Sequence, residues 1–406
     1  MKLLFALLLS FQLISQETTT IPSTFNFPIP SYEVNCMKKF DQDAVGYNSV
    51  NAFILAKMSE LMYPERLDYQ LRYLQNNSQP LESLSSTSEL KKFPLVFNSN
   101  FNAAYSARFS HYFSDSIKSD FHFLEKVKLD TVRILGIKTV LGYDPELSII
   151  SHGDLIILVY RGTDDVDGNI RAEWMGTDFN IRKTKSDSSL DNAFIHKGFW
   201  KSYEIMKDDL FRILDQLDAK HKTIWITGHS LGGAMAILSG AHLQANGYPV
   251  ANIYTYAAPR AFGDTTFAQI CNKLLPNKIH RFEYYLDPVS YINSKKYTPV
   301  GIRYWFDQEE LGMYKMYSAI ENRHKADILF AYRKKRFSTV EKKEAARINR
   351  CLYKNHHSRI LKKFYHHNTQ WYVKACYQQL SEEQKIMLPK VDDSYPFIYY
   401  GWEKGK

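Results

Sequence analysis

Residues 223–238 run from an apolar stretch, Thr223-Ile-Trp-Ile-Thr227, through Gly228-His229-Ser230-Leu231-Gly232, into the small-residue stretch Gly233-Ala-Met-Ala-Ile-Leu238. That order reads as strand, sharp turn, helix. Glycines flanking a serine let the chain take a strained turn that lifts the hydroxyl above a sheet and aims backbone N–H groups at an incoming oxyanion. Ser230 is therefore a candidate nucleophile on an elbow. Because the elbow needs a strand before it and a helix after it, it also dictates the architecture around it.

The flanking sequence supplies that architecture. Gly136–Leu141, Leu147–Ile150 and Leu155–Tyr160 are strand-like, and the last is apolar throughout, as a strand buried on both faces should be. Phe199–Leu217 returns to helical spacing. Thr223–Thr227, Asn252–Tyr256 and Ile279–Tyr285 then alternate as strands with helices predicted over Leu231–Ala245 and Thr265–Leu275. Upstream, Ala52, Leu55, Ala56, Met58, Leu61 and Met62 predict an amphipathic helix ending before Pro64. Such alternation implies an α/β class with a mainly parallel central sheet and helices on both faces, and the elbow within it resembles that of the α/β-hydrolase fold. Ser230 then falls at the carboxyl end of a central strand, where open sheets place ligands.

With 45% hydrophobic and 15% aromatic residues the chain is expected to pack a large core rather than remain disordered. Met1-Lys2 followed by Leu3–Ile14 is too short for a membrane span and reads as a signal peptide over residues 1–15, with a mobile leader over 16–30. Residues 31–400 are expected to form a single domain. Export, to an extracellular or periplasmic space, permits disulfides among Cys36, Cys271, Cys351 and Cys376 without requiring them; Cys351 and Cys376 could close a loop, and buried free thiols are the alternative. Asn76-Asn77-Ser78 is a glycosylation sequon.

A serine hydroxyl is a poor nucleophile at neutral pH and needs an imidazole to take its proton and a carboxylate to orient the imidazole. In the α/β-hydrolase order both partners lie downstream of the serine. Asp287, after a predicted strand and before Pro288, is the preferred acid. Asp264 precedes Thr265 at a helix start and reads as an N-cap. For the base, His367 precedes a helical face of Trp371, Tyr372, Ala375, Cys376 and Leu380 and is preferred; His357 and His366 remain candidates. His357 lies among Lys354, Arg359 and Lys362, where positive potential disfavours an imidazolium. The pairs His356-His357 and His366-His367 lack a familiar metal-ligand spacing, so neither metal nor cofactor is expected. One oxyanion donor is the N–H of Leu231; the other should come from the end of a neighbouring strand, near Tyr160–Thr163.

Val159-Tyr-Arg-Gly-Thr163, Trp174 with Asp178, Ile195-His-Lys-Gly-Phe199, Gly228-His-Ser-Leu-Gly-Gly233, Tyr254–Asp264 and Asp287-Pro-Val289 together resemble the class 3 lipase family. The resemblance spans about Ser49 to Leu380 and is densest from Leu155 to Val289. It implies a triad of Ser230, Asp287 and a late histidine, Thr163 as the second oxyanion donor, and hydrolysis of carboxylic esters of acylglycerols or related lipids. It also implies that residues 314–355 are a basic helical insertion lengthening the interval between Asp287 and His367. His196 and His229 are expected to be supporting contacts.

In the lipases the chain resembles, the position of Asp164–Glu173 is that of the lid; here only Val166, Ile170 and Ala172 are apolar in it, so activation at a lipid interface is not expected. The net charge of +9 has its excess between Lys315 and Lys363, with Glu321, Asp327, Glu341 and Glu344 interleaved. That pattern reads first as a solvated helix face and leaves open transient contact with an anionic membrane. No motif accompanies it that would point to nucleic acid. A non-lipid carboxylesterase or phospholipase of the same fold, or a non-catalytic lipid- or surface-binding relative, are the alternative functions.

Overall fold

In Leu155–Tyr160 alternate side chains pack into two different cores: Leu155, Ile157 and Val159 into one, Ile156, Leu158 and Tyr160 into the other. A strand with two buried faces must lie inside a sheet covered on both sides, and the computed structural model has that form. It describes residues 39–63, 120–125, 128–134, 137–143, 146–162, 183–260, 263–291, 297–308, 314–318, 328, 331–332, 366–388 and 391. The signal and leader segments, the sequon, Cys36, Cys351, Thr163, the segment 164–173, Trp174, Asp178, His324, His356 and His357 lie outside these.

Twelve strands are described: β1 (Asp120–Glu125), β2 (Lys128–Ile134), β3 (Ile137–Tyr143), β4 (Glu146–His152), β5 (Leu155–Tyr160), β6 (Lys183–Lys185), β7 (Phe194–His196), β8 (Thr223–His229), β9 (Val250–Tyr256), β10 (Ile279–Tyr284), β11 (Ile302–Gln308) and β12 (Tyr314–Ser318). The central sheet has the order β1-β4-β5-β8-β9-β10-β11-β12, while β2-β3 and β6-β7 form two small hairpin sheets. Strands β5, β8, β9, β10 and β11 are parallel, and antiparallel strands close both edges. This is the expected α/β-hydrolase fold.

The helices are α1 (Ser49–Leu61), α2 (Lys197–Gln216), α3 (Leu231–Ala245), α4 (Thr265–Leu274), α5 (Thr369–Gln378) and the short α6 (Glu382–Ile386). Because β5, β8, β9 and β10 follow one direction across the sheet, right-handed crossovers put α2, α3 and α4 on the same face. The opposite face is covered by α1 and α5, two helices more than 300 residues apart in the chain that pack against each other. Its surface is aromatic, with Tyr256, Phe282, Tyr304 and Phe306 stacked in a row across three strands. Polar caps join it to the N-terminal segment: Tyr254 donates to the carbonyl of Gly46, Trp225 to that of Gln42, and Tyr256 to that of Ala52.

Two expectations are corrected. Helix α1 is not amphipathic: every residue from Asn51 to Leu61 is buried, and Lys57 and Glu60 form an ion pair of 2.9 Å. The hydrophobic spacing is genuine, but a helix held between a sheet and a second helix has no solvent face left. The first part of the predicted helical insertion, Tyr314–Ser318, is an edge strand antiparallel to β11. The bridge from Cys351 to Cys376 is not formed, since Cys376, like Cys271, is a buried free thiol.

Candidate active site

Strand β8 delivers Ser230 at its carboxyl end, and α3 begins at the next residue. Ser230 has φ 56° and ψ −125°, a conformation that side-chain-bearing residues seldom adopt and that marks a strained elbow. The strain is held by its neighbours. The Ser230 N–H donates to the carbonyl of Tyr256 on β9 at 2.9 Å. A side chain on Gly232 would collide with the backbone of Tyr160 and Arg161, so only glycine lets α3 start this close to the end of β5. Gly162 is equally confined, because a Cβ there would meet the Tyr63 hydroxyl, the His229 carbonyl and, at 3.1 Å, the Ser230 Cβ. The chain leaving β5 thus runs directly over the elbow.

Asp287 lies three residues beyond β10, in a turn closed by its N–H on the Tyr284 carbonyl at 2.8 Å. Its carboxylate is fully buried. It accepts from the Val289 N–H at 2.8 Å, from the Tyr372 hydroxyl at 2.5 Å and from Ser290 at 3.5 Å. The phenol of Tyr372 is pushed well above its ordinary pKa by burial and then by the Asp287 charge, so it remains a donor. Asp264, the rejected acid, caps α4 by accepting from the Phe267 N–H at 3.0 Å.

His367 sits in a single turn of 3-10 helix just before α5. Helix α5 is docked on β10 by Trp371, stacked on Tyr284 at 5.6 Å, and by the Tyr372 hydroxyl, which accepts from the Tyr284 N–H. This brings His367 between the other two groups. Its Nε2 lies 2.8 Å from Ser230 Oγ, and its Nδ1 lies 3.0 and 3.1 Å from the two carboxylate oxygens of Asp287. With the proton on Nδ1 donated to Asp287, Nε2 is free to accept from the serine.

The other histidines have different places. His366 is buried against Tyr285, with ring centroids 5.0 Å apart, and burial lowers its pKa to about 3. His280 lies in the aromatic core beside Tyr304 and Asn252. His196 caps α2 through the Phe199 N–H. His229 bridges Tyr63 and the main chain of His367, at 2.6 and 2.7 Å. Leu231 is the first residue of α3, so its N–H has no carbonyl within the helix to bond. Tyr63 and Tyr372 are the contributors that pattern reading did not assign. Tyr63 is 167 residues from Ser230, and nothing local marks it; Tyr372 shows as one residue of an apolar helical face and as the aromatic five residues after His367, neither of which reports its bond to Asp287.

Residues 157–296 match the family model described as Lipase (class 3). The Secreted mono- and diacylglycerol lipase A of Penicillium cyclopium is 34% identical over 119 residues, which are 28% of this chain and 38% of that protein. A lipase of Rhizopus oryzae is likewise 34% identical over 119 residues, 28% of each chain. The matches therefore span less than two fifths of these relatives' length. Among solved structures, lipase II from Rhizopus niveus is similar at 22% identity and a TM-score of 0.36, covering 54% of this chain and 82% of that one.

Proposed function

We propose that this chain is an exported serine ester hydrolase of the lipase type, acting on carboxylic esters of acylglycerols or related lipids. The observation that carries the proposal is the unbroken hydrogen-bond chain from Ser230 Oγ through His367 to the buried Asp287. Ser230 attacks the ester carbonyl while His367 Nε2 takes its proton, and Asp287 stabilises the resulting imidazolium. The N–H groups of Leu231 and Thr163 hold the oxyanion. His367 then protonates the departing alcohol, leaving an acyl-enzyme that water, activated by the same imidazole, hydrolyses. No metal or cofactor is required at any step.

Acylglycerols are favoured by the names of the matched relatives, mono- and diacylglycerol lipases among them, and export by the word "Secreted" in those names and by the short apolar run after Lys2. A fluorophosphonate probe tests the chemistry. It is expected to label Ser230 in the folded protein, and Ser230→Ala to lower ester hydrolysis by at least about a thousandfold. Absence of the adduct overturns the proposal in favour of a binding protein. In an ester series run below and above the solubility limit, the acidic segment 164–173 leads to the expectation of no rate jump as droplets form.

A further inference from the structure

His229 occupies the position before the nucleophile, and its two ring nitrogens face two partners of different chemistry. The His367 carbonyl, 2.7 Å from Nε2, can only accept, so Nε2 carries a proton. In the neutral ring Nδ1 is then a lone pair, and the Tyr63 hydroxyl at 2.6 Å donates to it. All three groups are buried or nearly so. We propose that Tyr63 and His229 are positioning residues that clamp the main chain of His367, so that two consecutive residues of the elbow grip the base at both ends. Ser230 holds its ring and His229 holds its carbonyl. This inference rests on the catalytic role given to Ser230 and His367 above.

The geometry explains why such a clamp matters. His367 stands on a short 3-10 turn rather than within α5, which begins two residues downstream of it. Proton transfer requires the Nε2–Oγ distance of 2.8 Å to be kept while the ring changes charge. A carbonyl tied to the residue adjoining Ser230 makes base and nucleophile move together. The phenol has a second effect. The centroids of the His229 and His367 rings lie 4.7 Å apart, so a proton on both would set two cations side by side at the moment His367 must become charged. A donor aimed at Nδ1 keeps His229 neutral. Tyr63 reaches this spot because α1 ends beneath the elbow and because Gly162 has no side chain to occupy it.

The test is a kinetic double-mutant cycle on the full chain. Tyr63→Phe is expected to lower kcat about tenfold with KM held within about twofold, and to slow fluorophosphonate labelling of Ser230 by the same factor. His229→Phe is expected to cost about a hundredfold in kcat. His229→Gln, whose amide offers an N–H to the carbonyl and an oxygen to the phenol, should recover most of that loss. In the His229→Phe background, Tyr63→Phe should add less than about twofold, because it acts through the ring already removed. Unchanged kcat in Tyr63→Phe, or losses that multiply, overturns the clamp. Should His229→Phe fail to fold, nitrogen-15 NMR of the imidazoles in the wild-type protein decides: the Nε2–H tautomer at His229 supports the clamp and the Nδ1–H tautomer overturns it. That readout needs no turnover, so it separates failure of the clamp from failure of the hydrolase assignment.

Discussion

Asp287 and Asp264 both lie downstream of the nucleophile, yet one joins the chain of hydrogen bonds at Ser230 and the other caps a helix. That difference was legible locally, because Asp264 precedes a helical pattern and Asp287 precedes a proline. The choice among histidines was less so. His366 and His367 are neighbours on one turn, and which of them faces the serine depends on how α5 docks against β10, a contact no local pattern reports. Tyr372 illustrates the same limit. In sequence it is one of several apolar positions on a helix, whereas in the structure its hydroxyl donates to Asp287 at 2.5 Å. A hydrogen bond to a buried carboxylate is worth about 1.5–3 kcal/mol, and this one must persist while His367 is charged. Tyr372→Phe is therefore expected to lower kcat by roughly ten- to a hundredfold, with little change in KM. Equal kcat in steady-state assays of the two proteins would assign the phenol to packing alone.

Strand and helix periods anticipated β5, α3 and the order β8, α3, β9, α4, β10, since each of these carries its own repeat of apolar residues. They did not anticipate the burial of α1. Its polar positions, Lys57 and Glu60, imply a wet face to any local reading, whereas in the fold the helix lies between the sheet and α5, which arrives from the far end of the chain. The edge strand β12 escaped for the same reason, its identity depending on the partner β11. The buried pair makes the burial of α1 measurable. Removing one member of a buried ion pair takes from the other its partner at 2.9 Å in a place water does not reach, so Glu60→Ala should destabilise the protein by about 3–5 kcal/mol. In the exposed pair of α6, Lys385 with Glu382 at 2.8 Å, the carboxylate is 87% exposed. Glu382→Ala should change stability by less than about 1 kcal/mol. Denaturant midpoints at constant m-value compare the two directly, and equal small losses would mean that α1 is open to water in solution.

Taken as a whole, the molecule buries titratable groups on both faces of the sheet, and their balance sets its response to acid. His366 and His280 have folded pKa values of about 3 and about 4, each lowered by burial from an ordinary 6.5. The unfolded chain therefore binds protons that the folded one refuses, and stability falls as pH drops below about 6.5. Glu283 acts later. Burial raises its pKa, but the Arg260, Arg303 and Arg281 guanidinium groups outweigh that and hold it near 2. Its contribution is complete above about 4.5 and is lost only as pH falls toward 2. The histidines thus govern the range from pH 6.5 to 4, where two protons give a limiting slope of about 2.7 kcal/mol per pH unit, or roughly 2 kcal/mol from each by pH 5. Against a typical total of about 5–15 kcal/mol this is a large share. Denaturant unfolding between pH 7 and 5 should show stability falling steeply, and His366→Phe should remove about half of the slope attributed to the two rings. An unchanged slope in that variant would mean that His366 is protonated in the folded protein, at odds with its burial among Tyr285 and Trp371.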